Sequence, residues 1–290
     1  MSLLQVGGAA LQPRCLRECR KCINPPGALP SSFGATNTDA LFGAALAVGD
    51  FDGDGDDLAV GAPYVDPTYS GVVRVNAGVV VALFSDGNEL NSGGQILTQS
   101  GGTSPETDDY FGYSLAAGDL DADGMDDLIV GAPYEDYTSS ADVGVIQIIE
   151  GTSTGLSSGS VQTYWENTFT GDSRQPGNLF GYALVAADFD GDVDIDLAVG
   201  IPEKAIDVDG GDVSAGQVVI REGDMGGLTS AMVVVDHDHV VGAQAGDQFG
   251  FALAAGDVDM DGDADLVVGL PGQDTSGAVD NGGVLIADIE

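Results

Sequence analysis

Apolar residues in this chain come in short runs rich in Val, Ile, Leu and Ala, each closed off by Gly, Pro, Asp or Ser. Runs of that length and those borders predict strands, and no stretch shows the 3.6-residue period of a useful amphipathic helix. The runs recur. Phe42-Gly43 to Asp50, Phe111-Gly112 to Asp119, Phe180-Gly181 to Asp188 and Phe249-Gly250 to Asp257 align, with 69 residues between successive leading Phe residues. A second run ends in Gly-x-Pro each time, at Leu58–Pro63, Leu128–Pro133, Leu197–Pro202 and Leu266–Pro271. A third occupies Gly78–Phe84, Gly144–Ile149, Gly216–Ile220 and Gly283–Ile286, and a weaker fourth lies near Ile96-Leu97, Val161–Trp165 and Met232–Val235.

A fixed period with about four antiparallel strands per unit predicts an all-β fold, a β-propeller of four blades of about 69 residues. A stacked β-solenoid is the second choice, because solenoid repeats are shorter. The repeats fill residues 37–290, with blades at about 42–105, 111–174, 180–243 and 249–290. The last unit stops after its third run. An incomplete arc of a larger propeller is therefore expected ahead of a four-bladed ring, which would need Ser2–Val6 as its closing strand, since the Pro-rich residues 23–30 suit a ladder poorly. Phe42, Phe111, Phe180 and Phe249 are expected to wedge adjacent sheets together. Tyr164 and Trp165 are expected to pack within a blade.

Charge sharpens the picture. The chain has 47 acidic and 8 basic residues in 290, a net charge of −39. Such a charge repels phosphate backbones, which excludes nucleic acid as a partner. No run reaches 18 apolar residues, so no membrane-spanning helix is expected. Asp outnumbers Glu 38 to 9, and Gly numbers 45, a bias towards loops that bind a hard cation.

Twenty of the Asp residues sit in four windows that follow the first run of each unit. Loop two carries Asp119, Asp121, Asp123 and Asp127 at positions 1, 3, 5 and 9. Loop three carries Asp188, Asp190, Asp192 and Asp196, and loop four Asp257, Asp259, Asp261 and Asp265. Loop one is a residue shorter, with Asp50, Asp52, Asp54 and a closing Asp57 at position 8. Alternate carboxylates in a tight turn converge on one centre, and the carbonyl of position 7 (Met125, Asp194, Asp263) adds a donor. An oxygen-only set of six to eight ligands fits Ca²⁺, whereas zinc would want His or Cys. Three or four Ca²⁺ ions are expected, with loop one the weakest site. Gly at position 6 permits the sharp turn, and Val193 in its place strains loop three.

Residues 1–36 differ in kind from the repeats. They hold Arg14, Arg17, Arg20 and Lys21, half of the basic residues, and all three cysteines. This segment is expected to be irregular, and it lacks the apolar core of an export leader, so no signal peptide is expected in the chain. Cys15, Cys19 and Cys22 have the spacing of the radical-SAM iron–sulfur motif, but an all-β chain does not supply the barrel that chemistry needs. A disulfide with a spare thiol and an unstructured leader are the other readings. His237 and His239 could share a strand face for a transition metal, yet a third ligand is missing. No hydrolase triad is evident, and no catalytic or organic-cofactor residues are expected.

The succession Phe-Gly, Asp-x-Asp-x-Asp-Gly-x-x-Asp-Leu, Gly-Ala-Pro resembles the FG-GAP repeat of integrin α-subunit heads, over residues 42–290. The resemblance implies a seven-bladed β-propeller family, with Ca²⁺ between the first two strands of some blades. It implies a non-enzymatic adhesion or ligand-binding module, facing an extracellular protein or glycan, at a cell surface, outside the cell or in a periplasm. The absence of any Asn-x-Ser/Thr sequon leans towards a bacterial relative. FG-GAP repeats also accompany catalytic domains in phospholipase-like and polysaccharide-lyase-like proteins, so an accessory domain of a secreted enzyme is the alternative.

Overall fold

The computed structural model describes residues 39–85, 90, 94–208, 210–236, 243–274, 279 and 281–289. Cys15, Cys19, Cys22, His237, His239, Ser2–Val6 and residues 23–30 lie outside the described residues. The first sheet contains β1 (Ala45–Gly49) and β2 (Asp57–Ala62). After a small hairpin of β3 (Thr68–Tyr69) and β4 (Val72–Val73), it adds β5 (Val79–Leu83) and β6 (Gln95–Leu97). The second has β7 (Ser114–Gly118), β8 (Asp127–Ala132), β9 (Val145–Ile149) and β10 (Val161–Trp165), followed by the short helix α1 (Glu166–Thr170). The third has β11 (Ala183–Ala187) and β12 (Asp196–Ile201), then a hairpin of β13 (Ala205–Val208) and β14 (Gly211–Ser214), then β15 (Gln217–Arg221) and β16 (Met232–Asp236). The fourth has β17 (Ala252–Gly256), β18 (Asp265–Leu270) and β19 (Gly283–Ala287).

Each sheet is an antiparallel meander, and the four are the blades of a β-propeller. The first two strands pair in one register throughout: Ala45 faces Gly61, Ser114 faces Gly131, Ala183 faces Gly200 and Ala252 faces Gly269. The two hairpins and α1 are additions that the run pattern did not indicate. Both hairpins fall in the polar, Gly-rich stretch between the second and third runs, where strand pairs of two to four residues leave no apolar signature.

The core lies in three seams. Alternate residues of one strand enter two different seams: Leu128, Val130 and Ala132 of β8 face the first blade, while Ile129 faces the third. In β12, Leu197, Val199 and Ile201 face the second blade and Ala198 the fourth. A sheet buried on both faces explains why these runs are continuously apolar and not alternating. Phe111, Phe180 and Phe249 are fully buried in the seams, as expected of wedges. Phe42 is only half-buried, because no blade precedes it among the described residues.

The Gly of each Gly-x-Pro run and the Gly of the next Phe-Gly meet across a seam. A Cβ on Gly61 would lie 2.2 Å from the Gly112 carbonyl oxygen, on Gly131 2.3 Å from that of Gly181, and on Gly200 2.1 Å from that of Gly250. The first strands lie side by side in the order β1, β7, β11, β17. Leu46 and Val48 at one end stay 60% and 63% exposed, and Val284 and Ile286 at the other 71% and 52%. The described residues therefore form an open arc and not a four-bladed ring.

Candidate metal centre

Each Asp-rich window is the turn between the first two strands of a blade. Its first Asp works as a turn organiser. Asp50 Oδ1 accepts from the Gly53 and Gly55 amides at 2.8 and 3.1 Å. Asp119 accepts from Asp123 and Gly124, Asp188 from Gly191 and Val193, and Asp257 from Met260. The third position caps the fifth: Asp52, Asp121, Asp190 and Asp259 accept from the amides of Asp54, Asp123, Asp192 and Asp261 at 3.1–3.3 Å. Such Asx-type turns curl the chain so that alternate carboxylates face one point.

The closing Asp is the buried anchor. Asp57, Asp127, Asp196 and Asp265 are at most 7% exposed. Asp57 accepts from Phe51 and from Ser85, at the far end of the third strand; Asp196 does the same with Phe189 and Gly223, and Asp127 with Gly151. Asp265 accepts from Val258 at 2.6 Å. Burial pushes the carboxyls of Asp57 and Asp196 up to about 6 and that of Asp127 up to about 7. Asp52, Asp121 and Asp190 are raised too, first by burial and then with help from neighbouring carboxylates. A divalent cation at the centre would reverse that electrostatic penalty.

The structure gathers oxygens within 4.8 Å of one another from Asp50, Asp52 and Asp57; from Asp119, Asp121 and Asp123; from Asp188, Asp190 and Asp196; and from Asp257, Asp259 and Asp265. Four groups in four loops could hold a metal. Asp54, Asp127, Asp192, Asp194 and Asp263 lie outside these clusters, and Asp261 joins Asp259 and Asp288 in a fifth. Asp288 was not foreseen, because it follows the last strand and meets loop four only through the fold. All donors are carboxylate oxygens, a set that fits Ca²⁺.

The opposite end of the blades is aromatic. Tyr64 packs on Tyr110, Tyr110 on Tyr134, Tyr134 on Tyr113, Tyr113 on Tyr182 and Tyr182 on Phe251, with ring centroids 4.9–5.9 Å apart. The Tyr113 hydroxyl donates to that of Tyr182 at 2.7 Å. All six rings remain at least partly accessible, so they make one track across the four blades. The sequence signal was the aromatic after Phe-Gly or Gly-Ala-Pro, with Tyr110 just before Phe-Gly as the exception, and it is legible only once the blades are set side by side.

The FG-GAP repeat family model matches residues 42–81, 111–149 and 249–286. The chain is an FG-GAP repeat protein. Its third unit, outside that match, keeps the same strand order and register. Integrin alpha-PS2 of Drosophila melanogaster is 32% identical over 255 residues, which covers 84% of this chain and 16% of that protein. Phosphatidylinositol-glycan-specific phospholipase D of Rattus norvegicus is 33% identical over 162 residues, 56% of this chain and 18% of the enzyme. The FG-GAP chain thus spans less than a fifth of the length of either relative. A solved rhamnogalacturonan lyase of Bacillus licheniformis superposes with a TM-score of 0.43 at 16% identity, over 77% of this chain and 39% of the lyase.

These FG-GAP loops demand left-handed backbone at two positions, of which the spacing had indicated only the sixth. Position 6 has φ of +142° at Gly55, +92° at Gly124, +84° at Val193 and +117° at Gly262. Position 4 is also left-handed, at Gly53, Ala122, Gly191 and Met260. Val193 is a β-branched residue in a glycine conformation, and its side chain is 82% exposed, so it gains no packing in return. Val193→Gly should stabilise the protein by about 1 kcal/mol, the relief of strain exceeding the added freedom of the unfolded chain. Urea denaturation checks this, and an equal or lower midpoint would count against strain at that residue.

Proposed function

We propose that this chain is a Ca²⁺-stabilised, non-enzymatic ligand-binding module that works outside the cytosol. The observation that carries the reading is the division of labour between the two ends of the blades. Four clusters of three carboxylates sit at one end, and each loop closes on a buried Asp that belongs to the cluster in loops one, three and four. An accessible aromatic track crosses all four blades at the other. Metal at the first end would hold the strands rigid, and the second end would present the contact surface. Aromatic rings supply large contact area at low entropy cost, which suits an extracellular protein or glycan. The kinship with integrin α subunits supports the same reading and a cell-surface or extracellular setting.

Isothermal titration of the chelated protein should find three or four Ca²⁺ sites, and Asp123→Ala should remove one and leave the others. Zero or one site in the unmodified chain would sink the metal reading. For the ligand face, immobilised chain should retain components of an extracellular-matrix or glycan array in Ca²⁺ and lose them when Tyr113 and Tyr182 become Ala. Retention that ignores both residues would place the contact surface elsewhere.

A second reading, an accessory domain of a secreted enzyme, is favoured by the similarity to the phospholipase D. A catalytic domain encoded beside these repeats would decide for it.

A further inference from the structure

A cleft of about 540 Å³ opens beside the third blade, within the range of small-ligand sites, roughly 300–1,000 Å³. One wall is the segment 172–178 that leads from α1 to β11. The other is the turn after β12 together with the β13–β14 hairpin. Sites of this size are mostly lined by apolar side chains. Here only Pro176 and Ala205 are apolar, and the rest of the lining is carboxylates, amides, hydroxyls and one ammonium.

Two of the lining side chains are buried and held in place. Asn178 is 3% exposed and Lys204 7%, and both are tied to the fully buried Glu166. Lys204 Nζ donates to Glu166 at 2.5 Å and to Asp172 at 3.1 Å. The Asn178 Nδ2 group donates to both Glu166 oxygens, at 2.9 and 2.8 Å. These bonds use two of the three ammonium protons and the amide NH₂. The third proton and the Asn178 carbonyl oxygen are left for a ligand.

The cleft adjoins the aromatic track. The residue after Gly-x-Pro is Tyr64 in the first unit and Tyr134 in the second, but in the third it is Glu203, which lines the cleft. Gln248 Nε2 donates to Glu203 Oε1 at 2.9 Å. Burial raises the Tyr182 hydroxyl most, and Tyr134 and the Glu203 charge add to it, so that carboxylate stands near the ring. The lining opposes ions of either sign. Asp172, Glu203 and Asp212 repel a phosphate, a sulfate or a uronate, while Lys204 is a fixed positive charge against an ammonium or guanidinium ligand. What remains is hydrogen bonding in both directions: the carboxylates accept, and Lys204, Gln175 and the two serines donate. A hydroxyl group does both and carries no charge.

We propose that this cleft binds a neutral oligosaccharide, with sugar hydroxyls hydrogen-bonded to Asp212, Glu203 and Lys204 and a sugar ring laid against Tyr182. Hydroxyls bound to carboxylates make charge-assisted hydrogen bonds, and the apolar C–H face of a sugar ring suits an accessible aromatic. The proposal rests on the aromatic end being the contact face, and it names the ligand there as a glycan and not a protein.

The test probes the full chain with immobilised neutral oligosaccharides, with uronate-containing and sulfated ones, and with Lys- and Arg-rich peptides. The neutral set should be retained and the charged sets should not. For a retained oligosaccharide, Asp212→Ala should raise the Kd by about tenfold or more and Gln175→Ala by about fivefold, the worth of one charged and one neutral hydrogen bond. Both side chains are exposed, so circular dichroism should show an unchanged fold. Retention of acidic glycans or basic peptides in place of neutral glycans would overturn the ligand class. Neutral-glycan binding that ignores both variants would overturn the site. If no glycan is retained while a protein component still depends on Tyr113 and Tyr182, the glycan proposal falls and the contact face stands. If nothing is retained, both fall.

Discussion

Chelation with EDTA is expected to lower the melting temperature by well over ten degrees, and added Mg²⁺ should restore little of it. The size follows from linkage. A ligand that binds only the folded state contributes RT ln(1 + [L]/Kd), about 2.7 kcal/mol per site at a hundredfold excess over Kd. Three loop sites then contribute roughly 8 kcal/mol, comparable to the whole stability of many domains. For a chain of this size, 1 kcal/mol moves the midpoint by roughly 2–4 °C. The effect has a local cause as well. Without metal, each loop holds three carboxylates within 4.8 Å of one another, and its closing Asp is nearly out of solvent. Mg²⁺ prefers octahedral, water-rich coordination and suits such crowded carboxylates less well than Ca²⁺. Scanning calorimetry with and without EDTA reads the difference. Transitions within two degrees of each other would mean that the fold rests on its three apolar seams alone.

Gly200→Ala is expected to cost about 3 kcal/mol, at the upper end of overpacking penalties, because the new methyl has nowhere to go. It would lie 2.1 Å from the Gly250 carbonyl oxygen, 3.1 Å from that carbonyl carbon and 3.3 Å from the Ala183 Cβ. These are main-chain or fixed atoms, so relief requires the third and fourth blades to move apart. Buried Phe249, Val218 and Leu266 share that seam and would lose contact with it. Gly269→Ala is the control. It occupies the same place in the next blade, but the nearest atom to its Cβ is that of Ala252 at 3.4 Å, an ordinary contact. That change should be neutral, or stabilising by about 0.5 kcal/mol, since Ala loses less freedom on folding than Gly. Urea unfolding of the two variants decides, and equal effects would show that the Gly-x-Pro glycine answers to something within its own blade.

The blades themselves were legible in the sequence. A strand pairs with its neighbour through a nearby turn, so run length, borders and the 69-residue period mark the strands without knowledge of the rest. The Asp-rich windows were legible for the same reason: such a turn is built from residues a few positions apart, and Asp50 to Asp57 or Asp119 to Asp123 converge through local hydrogen bonds. The buried Phe111, Phe180 and Phe249 declared themselves by recurrence.

What crosses a seam was not legible, because it joins residues tens of positions apart in patterns that no single unit displays. Gly131 is required by the Gly181 carbonyl across the seam, yet it reads alone as a turn residue. Asp288 reaches loop four from beyond the last strand, and Lys204 finds Glu166 across 38 residues. The aromatic track exists only when consecutive blades stand side by side. The sequence by itself determined the repeat, the strand order and the Asp-rich turns, since these are short-range consequences of residue type. Only the tertiary structure decided the seams, the open ends of the arc and the aromatic track, since these arise where separate units meet and exclude water.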